Sequence, residues 1–211
     1  MKETRLREEI VALGRMLHDL GLSHAATGNI SARLDDGWLL TPTNSRLGRL
    51  DPARLAKLDD QGRRVSGDPP SKEAFLHQSV YEVRAGARAI VHLHSTHAVA
   101  VSCLADVDPA DVLPPITAYY VMRVGKLPLV PYFPPGAPGL ADAVRTHAGT
   151  HAAVLLANHG PVVAGTSLEA AAGSIEELEA TARLYLLLRG QPVRALEPAE
   201  VAELRRRYPI G

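Results

Sequence analysis

Arg88-Ala89-Ile90-Val91-His92-Leu93-His94-Ser95-Thr96-His97 reads as a buried strand carrying two histidines on one side. Ala89 to Leu93 is apolar and partly β-branched, and along a strand residues i and i+2 share a face, so His92 and His94 point the same way. Two neighbouring imidazoles on a rigid strand could both reach one metal ion. Alone, a His-x-His pair equally suits a partly solvated strand face with no chemistry.

The segments on either side narrow the reading. Ala152-Ala153-Val154-Leu155-Leu156-Ala157 is a second apolar strand, and it runs into Asn158-His159-Gly160-Pro161. Upstream, a proline-containing loop stops at Ser71-Lys72-Glu73, where a helix begins. Three histidines on strands or strand ends, with a carboxylate at a helix start, suit a catalytic zinc site that keeps one position open for substrate.

At 211 residues, 46% of them apolar, the chain can bury one sizeable core, so a single globular domain over 1–211 is the expectation. Lys plus Arg and Asp plus Glu balance at 23 each, which removes any net-charge argument for a nucleic-acid or membrane-surface partner. Neither an apolar signal region nor a run approaching a membrane span occurs, so the protein is expected to be soluble and cytoplasmic. Cys103 is the only cysteine and sits among Val99, Val101 and Leu104, which predicts a small buried core residue.

Leu6, Ile10, Leu13, Leu17 and Leu20 recur at three or four residues, and Gly21 ends that amphipathic helix. Ala26 to Leu34 reads as a loop entering a strand, and Asp36-Gly37 turns the chain into Trp38-Leu39-Leu40. The hydroxyl- and amide-rich loops Thr27-Gly28-Asn29 and Thr41-Pro42-Thr43-Asn44-Ser45 would then lie at neighbouring strand ends. There they offer N–H groups, hydroxyls and a glycine that permits close approach to an anion. Leu55 to Leu58 is a short strand and Asp59 to Gly62 a turn. Phe75, Leu76, Val80 and Val83 mark a helix with Ser71 as N-cap and Glu73 in its first turn. Ala98 to Leu104 is helical, capped by Ser95 or Thr96. Ile116 to Met122 and Leu127 to Tyr132 are extended, and Phe133 to Gly139 is an irregular loop before a short helix from Leu140. Thr166 or Ser167 caps the longest helix, which Gly190 closes, and a last short helix follows Glu197.

Five stretches, Thr27-Gly28-Asn29-Ile30-Ser31, Thr41-Pro42-Thr43, Pro70-Ser71-Lys72-Glu73, His92-Leu93-His94 and Asn158-His159-Gly160, resemble in order and spacing the motifs of the class II aldolase/adducin family. The likeness runs from the first helix to about Gly190. His92 to Leu104 and Leu113 to Tyr120 most resemble the branch of 3-oxo-tetronate 4-phosphate decarboxylases. The resemblance implies an α/β fold with a central, mostly antiparallel sheet flanked by helices, and a homotetramer with active sites between subunits. It implies one zinc ion per subunit on His92, His94 and His159, with Glu73 as acid/base. Gly28, Asn29, Thr43, Asn44, Ser71 and Lys72 would receive a phosphorylated small-molecule substrate, Lys72 standing where the family aldolases have a second serine. Tyr119, rather than Tyr120, would supply a proton donor from the adjoining subunit. The implied reaction is decarboxylation of a phosphorylated 3-oxo sugar acid through a metal-stabilised enediolate. Sugar-phosphate aldolase, epimerase or dehydratase chemistry is the alternative within the family. An adducin-like interaction module is the alternative outside enzymology. His97 stands as a further candidate ligand or substrate contact.

Overall fold

Alternation along the strands sorts the apolar side chains between two cores. Ala89 and Val91, Leu39, Ala153 and Leu155, and Val163 belong to one cluster, while Ile90, Trp38 and Leu40, Val154 and Leu156, and Val162 and Ala164 belong to the other. Each of these strands therefore feeds both faces of one sheet, as the period of two requires. The computed structural model describes residues 3–134 and 136–210, so Met1, Lys2, Pro135 and Gly211 lie outside it.

The sheet has eight strands: β1 (Asn29–Leu34), β2 (Gly37–Leu40), β3 (Ala56–Leu58), β4 (Arg64–Ser66), β5 (Ala89–His92), β6 (Leu129–Val130), β7 (Ala153–Leu156) and β8 (Gly160–Gly165). Their order across the sheet is β4-β3-β2-β1-β5-β8-β7-β6. Every ladder is antiparallel except that of β6 with β7. One face is covered by α1 (Glu3–Asp19), α3 (Thr96–Ser102), α4 (Ala118–Arg123) and the long α6 (Leu168–Leu188), through residues such as Ile10, Val101, Val121 and Ile175. The other carries α2 (Ala74–Val83) and α5 (Pro138–Ala148), through Leu76, Val80, Leu140 and Val144. α7 (Pro198–Arg207) packs against α4. The expected α/β architecture, a mostly antiparallel sheet flanked by helices, is what forms. No described helix is long and apolar enough to cross a membrane.

Local expectations fail where a tertiary partner outweighs the local pattern. Ile116 to Met122, rich in β-branched and aromatic residues, is not extended: Thr117 accepts a hydrogen bond from the Tyr120 N–H and opens helix α4, which packs on α6 and α7. Ser71 is not the N-cap of α2. Glu73 holds that position, and the Ser71 hydroxyl accepts the Glu73 N–H at 3.3 Å, shaping the turn that leads into the helix. Ser95 does hold the N-cap position of α3, as expected, but its side chain makes no cap bond, because the Glu179 carboxylate from α6 takes the N–H groups of His97 and Ala98, each at 2.9 Å. Cys103 is exposed rather than part of the core.

Candidate metal centre

β5 pairs through Ala89 to His92 with β1 on one side and β8 on the other, and its exit, Leu93-His94, is pressed between two glycines. Gly28 has φ +79°, and a Cβ there would stand 2.9 Å from the His92 carbonyl oxygen. Gly160 has φ +154°, and its Cβ would stand 2.3 Å from the Leu93 carbonyl oxygen. The glycine at 28 is thus needed for the protein's own backbone, whatever ligand lies beside it. Gly28→Ala is expected to cost about 1–3 kcal/mol from the left-handed backbone alone. Metal retention should weaken with it, because the displaced carbonyl belongs to His92. Thermal unfolding and metal content measure both effects, and an unchanged melting temperature would remove this constraint.

Held there, the imidazoles converge. His94 Nε2 lies 3.2 Å from His92 Nε2 and 3.1 Å from His159 Nε2. Glu73 closes the group, with Oε2 3.4 Å from His92 Nε2 and Oε1 3.1 Å from His159 Nε2. All four ligand atoms lie within 4.8 Å of one another. Nitrogens bound tetrahedrally at about 2.0–2.1 Å from zinc stand roughly 3.3 Å apart, so the spacing fits three ligands of one such ion. Hydrogen bonding supports the same conclusion. The ring Nδ1 of His92, fully buried, donates to the Pro161 carbonyl at 2.8 Å, which leaves Nε2 as the lone-pair nitrogen facing the cluster.

In the metal-free cluster the carboxylate instead holds the imidazoles by charge and hydrogen bonds, with His92 taking a proton that an ion would replace. Burial alone would raise the Glu73 carboxyl, but the charge of His92 and hydrogen bonds from His159, His92 and Asn29 outweigh it and hold the group far below the usual carboxylate range. Burial, reinforced by His92 and His159, brings His94 down to about 3, so its imidazole is neutral, as a metal ligand needs to be. Burial also opposes a charge on His92, yet the Glu73 carboxylate overrides it and raises that group.

Three loops meet beside this cluster. Thr43 N–H donates to the Pro69 carbonyl at 3.0 Å and Ser71 N–H to the Thr41 carbonyl at 3.1 Å, which fastens 41–45 to 69–73. Asn29 Nδ2 bridges from β1 to Ser71 Oγ at 3.1 Å and Glu73 Oε2 at 2.7 Å. Ser71 Oγ only accepts in its recorded contacts, so its own proton is available to a ligand. The exposed Lys72 has no hydrogen bond or ion pair among the described residues, and Asn44, with φ +57°, is exposed at the tip of its loop.

Three residues singled out by sequence sit elsewhere. His97 is fastened by its Nδ1 to Glu179 at 2.8 Å and belongs to the α3 attachment, not to the cluster. Tyr120 is buried at 1% exposure, and Tyr119, next to it, is 61% exposed. Tyr119 lines, with Arg123, Glu177 and Met16, a cavity of about 1290 Å³ whose walls include neither Glu73 nor the three histidines. Sequence reading passed over His77, which is fully buried and bonded to Asn29; its spacing of four residues from Glu73 on one helix face was the available signal.

Residues 8–186 match the family model described as Class II Aldolase and Adducin N-terminal domain. The chain is 47% identical over 208 residues to a Haemophilus influenzae protein named 3-oxo-tetronate 4-phosphate decarboxylase, covering 98% of this chain and 99% of that one. It is 50% identical over 190 residues to the Cupriavidus necator protein of the same name, covering 90% and 88%. Among solved structures, YgbL from Escherichia coli superposes with a TM-score of 0.95 at 45% identity, over 97% of this chain and 100% of that one.

Proposed function

The chain belongs to the class II aldolase and adducin family, and from that premise we propose that it is a metal-dependent lyase that decarboxylates 3-oxo-tetronate 4-phosphate, as one domain along its length. The observation that carries this reading is near-full-length identity of 47–50% to proteins of that name, joined to a Glu–His cluster of metal-ligand spacing. An adducin-like interaction module would not need four converging ligand atoms. We take the ion to be zinc on His92, His94 and His159, and the working form to be a cytoplasmic homotetramer.

When bound, the ion supplies Lewis acidity toward the substrate's ketone and adjacent hydroxyl, with little of its charge offset by three neutral imidazoles. Decarboxylation breaks the bond between the carboxylate carbon and C2; its electron pair stays on C2, next to the ketone, and carbon dioxide leaves. C2 then needs one proton, and the product is dihydroxyacetone phosphate. Glu73 is the carboxyl at the cluster able to carry that proton, and its side chain, 24% exposed, can be recharged from water. The phosphate is received by the Gly28-Asn29 backbone, the Thr43-Asn44 loop, the Ser71 hydroxyl and the Lys72 ammonium. The exposed ring of Tyr119 is free to enter the site of a neighbouring copy, which the buried Tyr120 is not.

Incubation with the phosphorylated 3-oxo acid is expected to release carbon dioxide and dihydroxyacetone phosphate in equal amounts. The dephosphorylated analogue should lose at least about 10²-fold in kcat/KM, since each charge-assisted hydrogen bond to the phosphate is worth about 1.5–3 kcal/mol. Equal use of both substrates would reduce the three loops to plain turns. Aldehyde release from a sugar phosphate, without carbon dioxide from the acid, would make the protein an aldolase.

A further inference from the structure

α2 and β1 meet through two polar rows whose repeats match. Glu73, His77 and Tyr81 follow at every fourth residue on one side of α2, a step of about 6 Å. Asn29, Ser31 and Arg33 alternate along one face of β1, a step of about 6.8 Å. The rows interlock: Asn29 Nδ2 bonds Glu73 at 2.7 Å, and His77 Nε2 meets Asn29 Oδ1 at 2.5 Å. His77 Nδ1 meets Ser31 Oγ at 2.7 Å, and Ser31 Oγ meets the Tyr81 hydroxyl at 2.9 Å. Arg33 closes the series, bonding the Tyr81 carbonyl at 2.6 Å with its guanidinium carbon 4.6 Å from the ring centroid. Trp38 stacks on His77 at 6.4 Å between centroids and 10° between planes, fixing the ring from the side.

Each hydrogen bond in this series has one possible direction. The Glu73 carboxylate only accepts, so the Asn29 amide must turn its NH2 toward it and its oxygen toward His77. His77 must then carry its proton on Nε2. Burial brings it down to about 3, so the ring is neutral and Nδ1 is an acceptor. Ser31 therefore donates to Nδ1, and the Tyr81 hydroxyl donates to Ser31. An amide in the series blocks proton conduction, so the chain orients and does not relay.

We infer that His77 is a positioning residue for the reaction, locking the Asn29 amide so that its N–H always faces Glu73 and holds the carboxylate against the cluster. This rests on Glu73 being the acid/base proposed above. A ring without nitrogens at 77 would let the amide flip and present its oxygen to the carboxylate.

The test compares His77→Phe, which keeps the ring's shape against Trp38, with His77→Gln, whose amide restores one donor toward Asn29 and one acceptor toward Ser31. His77→Phe is expected to lower kcat about 10–100-fold, the usual effect of removing such a supporting partner, with KM within about twofold and metal content unchanged. His77→Gln should recover most of the loss. In a Glu73→Gln background, His77→Phe should produce no further fall, because both act through one group. Nitrogen-15 shifts should show the neutral Nε2–H tautomer at His77. Full kcat in His77→Phe beside an inactive Glu73→Gln, or the opposite tautomer, overturns the inference and leaves Glu73's role standing. An active Glu73→Gln overturns that role instead. Loss of fold in both His77 variants would reduce the residue to packing and also count against the inference.

Discussion

Protein carrying His94→Ala is expected to lose its metal and all measurable turnover while melting as a folded chain. The β5 ladder ends at His92, so removing the His94 ring breaks no strand pairing. Its Nε2 stands between those of His92 and His159, at 3.2 and 3.1 Å, and no other described imidazole belongs to the cluster. Loss of a partner that merely supports a ligand typically costs 10–100-fold in metal affinity, so loss of a ligand should exceed about 10²-fold. His92→Ala should give the same metal loss with an added stability penalty of about 0.5–1.5 kcal/mol from the lost hydrogen bond, since the buried Pro161 carbonyl then keeps only the Leu93 N–H at 3.3 Å. Elemental analysis after dialysis, paired with thermal unfolding, checks both variants. Full metal occupancy in either would take that histidine out of the ligand set.

Glu73→Gln should leave metal and fold in place and lower kcat by about 10²- to 10⁴-fold, the usual contribution of a general acid/base. The substitution keeps the volume and one oxygen, which can still accept the Asn29 N–H now bonded at 2.7 Å. It removes the charge and the protonatable site facing His159 and His92. Because α2 begins at Ala74, with Glu73 only its N-cap and making no side-chain cap bond, the helix loses nothing through the change. Steady-state kinetics with metal content measured on the same samples decides it, and near-normal turnover would leave Glu73 a helix-start residue.

How far the chain could be read from its sequence follows from which forces act locally. The histidine pair, the second apolar strand into Asn158-His159 and the helix start at Glu73 are local patterns, and they converge on one point. Helix α1 and its end at Gly21, φ +75°, were equally plain, because period and stop signal lie in one stretch. β4 escaped notice because all three of its residues are exposed and show no alternation, only pairing with β3. α4 was misread because its tyrosines and valine favour strands in isolation, while Thr117 and the packing on α6 favour a helix. The reason for Gly28 could not be read at all: the carbonyl it accommodates is sixty-odd residues away, on β5. His77 was hidden for a different reason. A lone histidine among Leu76, Val80 and Val83 looks like core until Asn29 and Ser31 are seen opposite.

Hydrogen exchange gives the order of the strands a further meaning. β5 has β8, β7 and β6 on one side and β1 to β4 on the other, and α6 lies across it. Amides of the three-residue edge β4 can open by fraying, whereas those of β5 are released only by openings that dismantle the sheet from its middle. The strand that carries His92 thus has the lifetime of the folded state itself.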